Sequence, residues 1–214
     1  NKYDIMFWAD EVITGFGRTG NDFGCTTMGI DSPDMMTFAK QLSSAYMPIS
    51  ASAIRRDAYD AMIDQTASAG AFGHCYTYSC HPVACAVALK TQQIFQRDQI
   101  FDKAAVTGEY LQKRLTEFAD HPLVGEVRGR GLLGAIELVA NKQTGEPFVG
   151  GAVGGYAQKM AQDNGLLIRA VAGSSLGFCP PLIISNDQID EMMAIVAVAL
   201  DATLQHCHRE NLLA

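Results

Sequence analysis

Two apolar runs near the start of the chain set its pattern. Ile5-Met6-Phe7-Trp8-Ala9 leads into Asp10, and Met35-Met36-Thr37-Phe38-Ala39 leads into Lys40. Runs with so little polar alternation predict strands buried on both faces, as in a parallel sheet under helices. Open parallel sheets place their chemistry just beyond the carboxyl ends of their strands. A carboxylate and an amine at two such ends suggest a site that uses both. The plainer reading is that Asp10 and Lys40 are polar residues where strands meet solvent.

Further along, the pattern alternates. Ile49 to Ile54 predicts a third strand and Arg55 to Gln65 a helix, followed by a small-residue loop from Thr66 to Gly73. Pro82 suits the first turn of a helix running from Val83 to about Arg97. An amphipathic helix follows from Ile100 to Phe118, with Ala104, Leu111, Leu115 and Phe118 on one side. His121-Pro122 marks a composition shift, and the expected domains are 1–121 and 122–214. Beyond it, Val124 to Gly129 and Leu132 to Val139 read as strands. A helix from about Tyr156 to Asp163 should stop at Asn164-Gly165, a good C-cap pair. Short strands are expected at Leu166 to Ala170 and Leu176 to Cys179. Ser185 with Gln188 three positions on forms a capping box for a last helix, Asp187 to about Gln205. Strand and helix alternate in the first part, so the class is α/β, with a smaller α+β part after it.

Composition narrows the function. A net charge of −7 argues against a nucleic-acid partner, whose phosphates call for clustered Lys and Arg. With 48% hydrophobic and 18% charged residues among 214, the chain has the make-up of a globular protein. No apolar run approaches the roughly 20 residues of a membrane span. Six cysteines without framework spacing fit a reducing cytoplasm. The chain reaches its first strand within four residues and has no initiator Met, so residues before Asn1 are expected to be missing.

Gly15-Phe16-Gly17-Arg18-Thr19-Gly20 is formally a dinucleotide fingerprint after a strand, but Asn21-Asp22-Phe23-Gly24 prolongs a loop where the fingerprint needs a helix. A lysine beside small residues at a strand end suits another chemistry, a Schiff base with an aldehyde cofactor. Pyridoxal phosphate is the usual partner, and it needs a carboxylate to keep its pyridine nitrogen protonated. Asp10 and Lys40 supply that pair.

At this point the sequence resembles the class III (ω-) aminotransferases, enzymes of fold-type I that depend on pyridoxal 5'-phosphate. The resemblance is carried by Ala9-Asp10-Glu11-Val12-Ile13-Thr14-Gly15-Phe16-Gly17-Arg18-Thr19-Gly20, by Pro33-Asp34 through Lys40, and by Tyr76-Thr77-Tyr78-Ser79 with His81-Pro82. Arg128-Gly129-Arg130-Gly131-Leu132 and Pro180-Pro181-Leu182 complete it, in the family's order. It implies part of a large cofactor-binding domain with a mostly parallel sheet, then a small C-terminal domain. It also implies roles. Asp10 would pair with the pyridine nitrogen and Val12 would pack on the ring. Lys40 would hold the cofactor as a Schiff base and move the substrate proton. Thr77 would bind the cofactor phosphate of a neighbouring subunit in a homodimer. Arg169 would receive a substrate carboxylate, for which a guanidinium fork is suited. The implied reaction moves an amino group from an amine or ω-amino acid to a keto acid such as pyruvate.

Departures from the family pattern matter as well. Cys75 and Cys80 stand where glycine is usual around the Tyr-Thr-Tyr-Ser core, and glycine often serves a positive φ. Ser174 replaces a common Asp. A glutamate-1-semialdehyde type aminomutase on the same scaffold, or a non-catalytic interaction module, are the other readings. Cys75, Cys80, His81 and Cys85 also offer a zinc cluster, against which Pro82 and the following helix weigh.

Overall fold

The computed structural model describes residues 3, 5–71, 73–74 and 76–214. They form two compact units, 1–101 and 102–214. The division falls inside one helix, whereas the composition shift lies at His121-Pro122.

The first unit is built on three strands, β1 (Trp8–Asp10), β2 (Met35–Phe38) and β3 (Ala51–Ile54). β1 and β2 are parallel, with Trp8 opposite Met35, Ala9 opposite Met36 and Asp10 opposite Thr37. β3 runs antiparallel to β2, pairing Met35 with Ile54 and Phe38 with Ala51. Asp34 pins the start of this ladder. Its carboxylate accepts the Phe7 N–H at 2.6 Å and an Arg55 guanidinium N–H, so one side chain ties the entries to β1 and β2 to the end of β3. Helices α1 (Gly24–Thr27), α2 (Arg56–Ala69) and α3 (Pro82–Arg97) complete the unit. α2 extends four residues beyond Gln65, through a stretch whose small residues read as loop, and ends on Gly70 at φ +86°. Alanine and serine there sit comfortably in a helix, and only the glycine stops it.

The first apolar run forms a shorter strand than expected and is not buried on both faces. Ile5 is 72% exposed and Trp8 58% exposed, while Ala9 is buried. Apolarity marked the run as a strand, but burial requires a covering layer, and no described element of this unit supplies one over those side chains.

The second unit follows its sequence pattern closely. α4 (Ile100–Thr116) buries Ala104, Leu111 and Leu115 completely, and a short 3-10 turn from Glu117 to Asp120 ends the stretch. β4 (Val124–Arg130), β5 (Leu133–Asn141), β7 (Arg169–Val171) and β8 (Ser175–Phe178) make an antiparallel sheet in the order β4-β5-β8-β7, with β6 (Glu146–Pro147) pairing β5. On β5 the burial alternates, with Ile136 and Leu138 inside. α5 (Ala152–Asp163) starts four residues before Tyr156. Gly154 and Gly155 hid that start, because glycine weakens a helical pattern. The structure supplies the reason for Gly154, where a Cβ would meet Ser174 Cα at 2.8 Å and Gly173 O at 2.9 Å. The last helix, α6 (Asn186–Arg209), opens on the capping box read from Ser185 and Gln188. Ser185 Oγ accepts the Gln188 N–H at 3.2 Å, and the Gln188 side chain accepts the Ser185 N–H at 3.0 Å. Its inner face, with Ile189, Met193, Val196 and Leu200, is fully buried.

Among the described residues no helix is long and apolar enough to cross a membrane.

Candidate active site

Asp10 ends β1, and Lys40 follows β2 by two residues, so both lie at the same end of one parallel pair. The parallel register decides this. Asp10 stands opposite Thr37, and the Thr37 hydroxyl donates to Asp10 Oδ1 at 3.3 Å. The Val12 N–H donates to the same oxygen at 3.1 Å. The other oxygen, Oδ2, makes no hydrogen bond or ion pair among the described residues, and the side chain is exposed. Lys40 is likewise exposed, and its amine is in no ion pair among the described residues. Its backbone opens a 3-10 turn from Lys40 to Leu42 at φ +42°, the left-handed region. A lysine there is strained, by roughly 1–3 kcal/mol, and such residues cluster at functional sites.

Between them, the glycine-rich stretch forms a turn-filled loop with no dinucleotide-type helix behind it, since α1 has only four residues. Phe16 and Phe23 in the loop meet Phe38 of β2, with ring centroids 5.5 to 5.8 Å apart. Their contact clamps the loop to the strand that leads into Lys40. Glu11 anchors it from within. This carboxylate is buried and accepts the Cys25 N–H at 2.7 Å, the Gly24 N–H at 2.8 Å and the Thr14 hydroxyl at 2.5 Å. Burial raises its pKa, but the Thr14 hydroxyl and the Cys25 and Gly24 N–H groups outweigh that and hold it below 4.5. Gly24 has to be glycine here, because a Cβ would lie 2.7 Å from Thr14 Cβ.

Thr77 lies in the turn that leads into α3, exposed. Ser79 shapes this turn. Its hydroxyl accepts the Tyr76 N–H at 3.0 Å, and its N–H donates to Tyr76 O at 3.0 Å. Cys80, standing where the family uses glycine, has φ +57°. The left-handed backbone that glycine serves is therefore present, occupied by a cysteine. Cys75 lies outside the described residues.

Arg169 begins β7 in the second unit, opposite Gly177 of β8, with its side chain exposed and in no ion pair or hydrogen bond among the described residues. The surface salt bridge that would explain an arginine at a strand end is absent there. A cleft of about 600 Å³ in this unit is lined by Leu167, Ile168, Phe178, Pro181 and Met192. Its wall is mostly apolar but also includes Gln188 and Glu191, and Arg169 is not part of it.

Three residues of the first unit carry no role in the sequence reading. Glu11 sat inside the quoted motif, but besides the Thr14 hydroxyl its partners are backbone N–H groups thirteen and fourteen positions away. Thr37 joins Asp10 only through strand register. Gln92, on α3, donates its side-chain N–H to Leu42 O at 3.0 Å.

The parallel pair thus presents a carboxylate oxygen and an amine at one end of its strands, neither of them in an ion pair among the described residues. The chain belongs to the class III aminotransferases, whose family model matches residues 1–200. It is 47% identical over 203 residues to a putrescine–pyruvate aminotransferase of Pseudomonas aeruginosa, covering 94% of this chain and 43% of that protein. It is 42% identical over 203 residues to gamma aminobutyrate transaminase 3, chloroplastic, of Solanum lycopersicum, covering 94% of this chain and 39% of that one. The omega transaminase of Pseudomonas jessenii, solved in complex with PMP, matches with a TM-score of 0.92 and 45% identity over 95% of this chain and 45% of its own. The chain thus spans a little under half the length of these relatives. The fold is that of a mixed α/β portion of a fold-type I transaminase, as the sequence implied.

Proposed function

We propose that the protein is a pyridoxal 5'-phosphate-dependent aminotransferase that moves an amino group from an amine or ω-amino acid to a keto acid such as pyruvate. One observation carries the proposal: Asp10 and Lys40 stand at one end of adjoining parallel strands, each with a polar group that has no ion pair among the described residues. Those groups fit the cofactor chemically, as a carboxylate for a pyridinium and an amine for an aldehyde. When bound, the cofactor supplies an electron sink for the carbon that loses its proton.

The chain's own residues do the rest. Asp10 would keep the pyridine nitrogen protonated, its carboxylate held at Oδ1 by the Thr37 hydroxyl and the Val12 N–H. Val12 would pack against the cofactor's ring. Lys40 would hold the cofactor through its amine and would take up and return the substrate proton. Thr77 contributes to the phosphate site of a neighbouring subunit, so the active form is a homodimer with shared sites. The family resemblance gives Arg169 the carboxylate of the keto acid, for which a guanidinium fork is suited, and its side chain makes no ion pair among the described residues. Pyruvate as acceptor is supported by the putrescine–pyruvate relative, and an ω-amino acid as donor by the gamma aminobutyrate relative. The spacing of the cysteines supports the cytoplasm as its compartment.

The test is cofactor loading of the full-length protein. Pyridoxal phosphate should give an absorbance band that borohydride fixes covalently on wild type and not on Lys40→Ala. Fixation at another residue, or no band on wild type, would overturn the assignment. Arg169→Ala should raise KM for keto acids more than KM for simple amines, and equal effects would remove its carboxylate role.

A further inference from the structure

We infer that Gln92 is a positioning residue for Lys40, setting the pose of the turn that carries the amine. The inference rests on the role given to Lys40 above and reaches a residue that no motif contains.

Lys40 has φ +42°, and two further residues of the same segment, Ser44 at +48° and Ala45 at +63°, are also left-handed. Non-glycine residues persist in that region only where their surroundings over-determine them. Most of the bonds that shape the segment are internal to it. The Leu42 N–H donates to Ala39 O at 2.9 Å, the Ser43 N–H to Lys40 O at 3.2 Å, and the Ser43 hydroxyl to Met47 O at 2.8 Å. Bonds within one short segment preserve its shape but do not fix where it points.

The bond from Gln92 Nε2 to Leu42 O, at 3.0 Å, spans fifty positions and joins the turn to a sixteen-residue helix. Its acceptor is well chosen. A carbonyl at the end of a 3-10 turn has no partner within the turn, and no other described group donates to Leu42 O. The helix is a firm support, since Ala84, Ala88 and Thr91 on α3 are buried. α3 also begins directly after the turn that carries Thr77. Gln92 therefore refers the Lys40 turn to the same rigid element that follows the phosphate-site threonine.

The experiment uses Gln92→Met, of similar length without a donor, in the full-length protein. Amide hydrogen exchange at Ser43 and Ala45, measured without cofactor, should rise about threefold to tenfold, the loss of one hydrogen bond, while amides of β1 remain unchanged. With cofactor, the pH midpoint of the lysine-bound absorbance band should shift relative to wild type, as the amine's setting changes. Should Gln92→Met not fold, Gln92→Glu, which also lacks a donor at neutral pH, gives the same two readouts. Unchanged exchange overturns the inference. Faster exchange with an unmoved midpoint overturns it too, leaving Gln92 a structural tether. Failure of wild type to form the band is a different result, which removes the proposed cofactor chemistry, and the cofactor-free exchange then still decides whether Gln92 holds the turn.

Discussion

Thr37 donates its hydroxyl to Oδ1 of Asp10 across the parallel pair, at 3.3 Å, and Oδ2 has no hydrogen bond among the described residues. The bond fixes the rotation of the carboxylate at the strand end. Asp10→Asn removes the charge that would keep a pyridine nitrogen protonated, and kcat should fall by about a hundredfold or more, the scale of a lost electrostatic stabiliser. Thr37→Val keeps the charge and the strand's β-branched shape but frees the rotation. Its loss should be several-fold only, near the value of one hydrogen bond. Steady-state kinetics of both variants check this, and an equal loss in the two would show that orientation rather than charge dominates.

Glu11 makes the protein sensitive to acid. Its carboxyl is held below the ordinary 4.5 in the folded state by the donors around it, which outweigh burial. The sign follows directly. The unfolded chain takes up the proton first, so this stabilisation is complete above pH 4.5 and is lost as pH falls through the lower folded value. Glu11→Gln places an amide N–H against backbone N–H donors and should cost about 1–3 kcal/mol at neutral pH. Denaturant titrations at pH 7 and pH 3 should show the variant's deficit shrinking in acid, and a deficit independent of pH would contradict the carboxylate's role.

His121 gives a second window, in the second unit. Burial pushes its pKa below 6.5, opposed by Asp201 and reinforced by the nearby Lys142 charge. Its Nδ1 accepts the Leu123 N–H at 3.2 Å, so the neutral ring carries its proton on Nε2, 3.5 Å from Asp201 Oδ1. Here the unfolded histidine protonates first as well. Stability should therefore fall as pH drops below 6.5 toward the lower folded value, and be unaffected above it. His121→Gln, which keeps an acceptor, should flatten the stability profile across that window in urea melts.

Cys80 at φ +57° occupies a backbone that glycine adopts freely. Cys80→Gly should relieve about 1 kcal/mol of left-handed strain, raising the melting temperature by roughly 2–4 °C for a chain of this size. A lower melting temperature in calorimetry would show that the sulfur contributes more than the strain costs.

Much of this protein is written locally. The capping box at Ser185 and Gln188, the helix stop at Asn164-Gly165, Pro82 at a helix start and the inward stripe of Ala104, Leu111 and Leu115 depend on residues within a few positions of each other. Short-range spacing determines such features, so the chain alone specifies them, and the motif order was enough to indicate the family. Asp10 and Lys40 were legible for the same reason, as the polar ends of apolar runs. Other features had no local signal. Glu11 binds N–H groups that any residue carries, Thr37 reaches Asp10 only through strand register, Gly154 is required by the hairpin at Ser174, and Gln92 meets Leu42 across fifty positions. Burial of the first apolar run was misjudged because hydrophobicity marks what can be covered, and only packing decides what is. Sequence determined which groups could do the chemistry; tertiary structure decided which backbone atoms hold them, since register and close approach exist only between segments already folded together.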